Sequence, residues 1–138
     1  MSADSASSFR QSPTLTIIGV GLIGGSIAAA AKKRRTAARV IGVGRSASRL
    51  QSAQAGGIID EGSTDIAAVA AVSDVMIFCT PVDKIVDGIE EAAPHCRPGT
   101  LITDAGSVKA AICDGIDSRL PAGVHFVGSH PLAGSEKQ

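Results

Sequence analysis

Along residues 14–128, six short apolar runs alternate with helix-like segments. That alternation most constrains the fold, because repeated β-α units feed a mostly parallel sheet with helices packed on it. The first run, Thr14 to Val20, is nearly continuous in apolar and β-branched residues, as expected of a central strand covered on both faces. Leu22 to Arg35 then reads as an Ala-rich helix ending in Lys32, Lys33, Arg34 and Arg35, where positive charge suits the helix dipole. That basic run is read as a solvated last turn, with a dedicated phosphate site as the alternative.

The same grammar continues downstream. Arg39 to Val43 reads as the second strand, and Ser46 is placed to cap a helix running through Leu50 to Ala55 and stopped by Gly56 and Gly57. Ile58 to Asp60 reads as a brief third strand and Asp65 to Val72 as a short helix. Asp74 to Thr80 is a buried strand ending at Pro81, and Asp83 to Ala93 carries Ile85, Val86 and Ile89 at helical spacing. Pro98 and Gly99 turn the chain into the strand Thr100 to Asp104. Val108, Ile112 and Ile116 then mark another helix, and Val124 to Gly128 is the last strand. Residues 1–12 read as a disordered tail and 13–138 as one domain.

Composition removes several classes of function. Thirteen basic and thirteen acidic side chains give zero formal charge, so no global field draws the chain to nucleic acid or an anionic membrane. No apolar run reaches the ~20 residues that span a bilayer. The three cysteines, Cys79, Cys96 and Cys113, are odd in number and lack C-x-x-C spacing, which fits a reduced cytoplasmic interior.

Gly19, Gly21 and Gly24 form a G-x-G-x-x-G between the first strand and the first helix. In that context the glycines make the tight turn, the backbone approach to a pyrophosphate and close helix packing, with Leu22, Ile23 and the helix N-terminus facing the phosphates. The expected fold is α/β, a Rossmann-type doubly wound sheet. A dinucleotide site of this kind usually carries an acid at the end of the second strand to hold the ribose 2′-hydroxyl. Here that place holds Gly44, followed by Arg45, Ser46 and, one turn later, Arg49. The missing carboxylate and the available guanidinium groups favour NADP, with NAD possible if Arg45 is an ordinary solvated charge.

The other strand ends supply further candidates, because ligands collect at the C-terminal edge of such a sheet. Thr80 and Pro81 close one strand, Asp104 and Ser107 the next, with Lys109 just inside the following helix, and His130 follows the last. Thr80, Pro81, Asp104 and Lys109 are expected to meet the cofactor. His130 sits in a Gly-flanked loop and is read as held toward a cleft, whereas His95 and His125 are read as surface residues. No cluster suggests a metal.

Gly19-Val-Gly-Leu-Ile-Gly-Gly-Ser26, Thr103-Asp-Ala-Gly-Ser-Val-Lys109 and Gly128-Ser-His-Pro-Leu-Ala-Gly-Ser-Glu136 together resemble the prephenate/arogenate dehydrogenases of tyrosine biosynthesis. The weaker stretch Gly56-Gly-Ile-Ile-Asp-Glu61 agrees, and the resemblance runs from Thr14 to Gln138. It implies an oxidative decarboxylation of prephenate or arogenate with hydride transfer to NADP or NAD. By resemblance, His130 accepts the hydroxyl proton, Ser107 orients His130, and Glu136 lines the substrate pocket. Lys109 either meets the cofactor or fixes its loop. The resemblance implies that members of the family continue into a helical domain that forms a homodimer, which these 138 residues are not expected to include. The 138 residues are therefore expected to bind dinucleotide without useful turnover. The competing readings are a β-hydroxyacid or imine reductase and a stand-alone regulatory binding module.

Overall fold

A computed structural model describes residues 13–105 and 120–128. Six strands are described: β1 (Thr14–Ile18), β2 (Arg39–Val43), β3 (Glu61–Ser63), β4 (Val75–Phe78), β5 (Leu101–Asp104) and β6 (His125–Val127). Between them lie α1 (Leu22–Arg34), α2 (Ala47–Ala55), α3 (Ile66–Ala70) and α4 (Val82–Ala92), the last continued by a 3-10 turn at Ala93–His95. The sheet order is β3-β2-β1-β4-β5-β6, and every neighbouring pair is parallel. This is the doubly wound order whose direction reverses between β1 and β4.

Both sheet faces are covered, which is why β1 reads as an unbroken apolar run. On one face Leu15, Ile17 and Val40 pack with Ala28 and Ala31 of α1 and Leu50 of α2. On the other, Met76, Phe78 and Ile102 pack with Ile66 and Val69 of α3 and Ile85 and Ile89 of α4. Small residues on α1 let it lie close to the strands. Polar atoms at the N-terminal edge satisfy one another: Thr16 Oγ1 lies 2.5 Å from Ser73 Oγ, Ser73 donates to Val69 O, and Thr100 donates to Ser73 O.

The helix boundaries follow their caps. Ser46 Oγ accepts the Arg49 N–H at 3.2 Å at the start of α2, and Asp65 Oδ1 accepts the Ala68 N–H at the start of α3. Arg35 ends α1 in the left-handed conformation at φ 55°. Lys33, Arg34 and Arg35 are exposed there, and Lys32 pairs with Asp60, so the basic run is a charged last turn far from the glycine turn.

The third strand departs from expectation. Ile58 to Asp60 is not a strand; pairing with β2 starts only at Glu61, opposite Ile41. Ile59 is buried instead, and Asp60 spends its carboxylate on Lys32 and on the Val40 N–H at 2.7 Å. Side-chain anchoring thus precedes strand pairing. The helix expected around Val108 to Ile116 lies outside the described residues.

Candidate functional site

Register places the site. Ser63 pairs with Val43, Val43 with Ile18, Ile18 with Phe78 and Phe78 with Asp104, so one row closes the C-terminal edge of the sheet. The next residues leave that edge together. Gly19 donates to Val43 O at 2.8 Å, Gly44 to Ser63 O at 3.2 Å and Cys79 to Ile18 O at 2.7 Å.

Above this edge opens a cavity of about 720 Å³, at the point where the strand order reverses. That volume falls within the roughly 300–1,000 Å³ usual for small-molecule sites. Its floor is Gly19, Val20 and Gly21 after β1 and Cys79, Thr80 and Pro81 after β4. Gly44, Arg45, Ser46 and Arg49 form one wall, with Thr64 and Ile66 beside them. Lys84, Asp87, Gly88 and Glu91 of α4 also line the cavity.

The glycine turn fits a dinucleotide on its own geometry. Gly19 has φ +95°, and a Cβ there would meet Cys79 O at 3.0 Å, so the turn requires glycine. A Cβ on Gly24 would run into Gly19 O and lie 2.9 Å from Ile17 Cγ2, so its bare backbone lets α1 reach the strand. Gly21 has nothing within 4 Å of such a Cβ, leaving the approach to the helix N-terminus open. That terminus has no acid in its first turn and, unlike α2, no side-chain cap. Uncapped N–H groups at the positive end of a helix suit a phosphate. Thr80 Oγ1, also in the cavity lining, is buried with no hydrogen-bond partner among the described residues.

Burial pushes the Cys79 thiol up to about 11, with the charge of Asp104 adding to it. A thiol so raised stays protonated and unreactive at neutral pH. Asp104 itself is 1% exposed at the end of β5 and not in the cavity lining. Leu22 and Ile23 sit in the first turn of α1, exposed, and they do not line the cavity either. His95 and His125 are exposed, as expected of surface residues. Ser107, Lys109, His130 and Glu136 lie outside the described residues.

Periodicity in the sequence assigned α4 only its apolar stripe and passed over its polar one. Lys84, Asp87 and Glu91 recur at i, i+3 and i+7, a signal that acquires meaning only once the helix is placed beside the cavity. Among the described residues no group of His, Cys, Asp and Glu could hold a metal ion, and no helix is long and apolar enough to cross a membrane.

A parallel sheet in the order 3-2-1-4-5-6, a glycine turn at its switch point and an open helix N-terminus above it define a dinucleotide-binding domain of the Rossmann type. Residues 27–138 match the family described as prephenate dehydrogenase, nucleotide-binding domain, and the chain belongs to that family. It is 38% identical over 125 residues to the prephenate dehydrogenase of Bacillus subtilis (strain 168), covering 90% of this chain and 34% of that protein. A cyclohexadienyl dehydrogenase of Zymomonas mobilis is 33% identical, with 88% of this chain and 41% of that one covered. Among solved structures, the A. aeolicus prephenate dehydrogenase in complex with hydroxyphenyl propionate and NAD+ superposes with a TM-score of 0.79 at 30% identity, over 88% of this chain and 42% of that one. Synechocystis arogenate dehydrogenase gives 0.76 at 31% identity, over 86% and 40%. The chain thus spans well under half the length of these relatives.

Proposed function

We propose that this chain is the cofactor-binding part of an NADP-dependent prephenate or arogenate dehydrogenase. The observation that carries the choice of NADP is Arg45. It follows Gly44 where an acid would hold a 2′-hydroxyl, lines the cavity, and forms no ion pair among the described residues. Beside it the N-terminus of α2 and the guanidinium of Arg49 add positive potential for a 2′-phosphate.

The same reading assigns the rest of the cofactor. Gly19 and Gly21 receive the pyrophosphate, Gly24 lets α1 come close enough, and Leu22 and Ile23 contribute through the backbone N–H groups of the first turn, their side chains standing outside the cavity. Thr80 and Pro81 flank the nicotinamide half, and the Thr80 hydroxyl gains its missing partner there. When bound, the nicotinamide supplies the hydride acceptor. NAD+ in the complex of the A. aeolicus relative supports a nicotinamide dinucleotide in general.

The family motifs extend the proposal to the substrate side. His130 takes the proton of the ring hydroxyl, Ser107 orients His130, and Glu136 lines the pocket for prephenate or arogenate. Asp104 shapes the loop that leads to Ser107, and Lys109 either meets the cofactor or fixes that loop. A cytoplasmic homodimer, joined through a helical second domain, is the assembly this reading implies.

Titration calorimetry with NADP and NAD tests the reading. NADP should bind more tightly, and Arg45→Ala should cost about 1 to 3 kcal/mol in NADP affinity while leaving NAD nearly unchanged. Equal affinities in the parent refute the NADP assignment.

A further inference from the structure

Helix α4 presents two faces with different tasks. Ile85, Ile89 and Ala92 are buried in the core, while Lys84, Asp87 and Glu91 line the cavity. Gly88 stands between the faces: a Cβ there would meet Phe78 Cε2 at 2.9 Å, so the helix lies directly on the sheet. The wall at that point is bare backbone framed by polar side chains. Arg45, Ser46 and Arg49 belong to the same cavity, on the β2 side.

Arg45, Arg49, Lys84, Asp87 and Glu91 form no ion pairs among the described residues, although all line one cavity. A ligand that satisfies both walls must present an anion to the guanidinium groups and hydrogen-bond donors to the carboxylates. The fold says which end of a dinucleotide this is. Its 2′-substituted ribose belongs at the end of β2, so the base on that ribose falls beyond it, between the start of α2 and α4.

We propose that the polar face of α4 reads the base of the dinucleotide, with Asp87 and Glu91 accepting hydrogen bonds from the exocyclic amine of adenine. This rests on the dinucleotide reading above. Carboxylates offer acceptors only, and the adenine amine offers two donors. Hypoxanthine carries a carbonyl oxygen at that position, which would set acceptor against acceptor and leave the carboxylates unpaired. Lys84, one turn before Asp87 on the same stripe, keeps the wall from being wholly acidic near the 2′-phosphate.

The test is calorimetric titration of the chain with NADP, with its deamino analogue carrying hypoxanthine, and with NAD. The parent should prefer NADP over the deamino analogue by roughly tenfold. In the double variant Asp87→Ala, Glu91→Ala that preference should fall close to unity, while NADP stays preferred over NAD at least as strongly as in the parent, since Arg45 is untouched and two negative charges near the 2′-phosphate are gone. Both side chains are exposed, so their removal spares the core. Equal affinity for the two bases in the parent, or a preference that survives the double substitution, overturns the proposal. Absence of binding by any of the three nucleotides would overturn the dinucleotide reading itself, and base recognition with it.

Discussion

Substituting alanine for Gly24 and for its neighbour Gly25 gives opposite expected signs from identical chemistry. Both residues lie in α1, where replacing glycine by alanine gains about 0.5 to 1 kcal/mol from lost unfolded-state entropy and better helix propensity. At Gly25 nothing lies within 4 Å of the added Cβ, so the gain stands alone. At Gly24 the Cβ would sit 2.9 Å from Ile17 Cγ2 and 3.1 Å from the Gly19 carbonyl carbon, with Gly19 O nearer still. Carbon atoms are comfortable at about 3.5 to 4.0 Å, so the methyl intrudes by roughly half an ångström or more on every side. Ile17 is fully buried and Gly19 is backbone held by its bond to Val43 O, so neither yields cheaply. Overpacking of this kind costs about 1 to 3 kcal/mol, and here it lands on the turn that receives the pyrophosphate. Urea denaturation followed by circular dichroism should show Gly25→Ala more stable than the parent. Gly24→Ala should be less stable by about 1 kcal/mol or more after the propensity gain is subtracted, and its NADP affinity should fall with it. If Gly24→Ala matches Gly25→Ala in stability and still binds, the close approach of α1 to β1 is misread.

Two further outcomes rest on titrating groups. Hydrogen bonds from Lys32 and then Val40 hold the Asp60 carboxyl below its ordinary 3.8. Its contribution is therefore present above that value and lost as pH falls through the lower folded-state value. Asp60→Ala should cost about 1 kcal/mol at neutral pH, the pair being partly exposed, and the gap from the parent should close in acid melts below 3.8. A gap independent of pH would refute the charged role. Because burial pushes the Cys79 thiol up to about 11, it should resist iodoacetamide at neutral pH until the chain is unfolded. Mass spectrometry of the tryptic peptides measures this directly, and rapid labelling of the folded chain would contradict the placement.

Much of the frame was legible in the sequence because its signals are local. Apolar β-branched runs such as Thr14–Ile18 specify strands buried on both faces, and Ser46 and Asp65 specify helix starts through their own side chains. The glycine turn is equally local, since strand, turn and helix are contiguous and only glycine meets Gly19's φ of +95°. The replacement of the expected acid by Gly44 and Arg45 could likewise be read from spacing along one β-α-β unit.

What sequence could not determine depends on which elements become neighbours. Ile58 to Asp60 has strand-like composition, yet Asp60 is drawn to Lys32, 28 residues earlier, and the strand begins after it. Asp104 ends a strand like its counterparts, but it is buried outside the cavity lining, because β5 lies one strand beyond the switch point. The polar stripe Lys84, Asp87 and Glu91 looks like any solvated helix face until the β1–β4 pairing sets α4 beside the loops that follow β1 and β2. Amphipathic period tells a helix which side to bury, and it is silent on what stands beside the side left over. Only the strand order decides that, because it sets which loops and helix faces meet across the crevice.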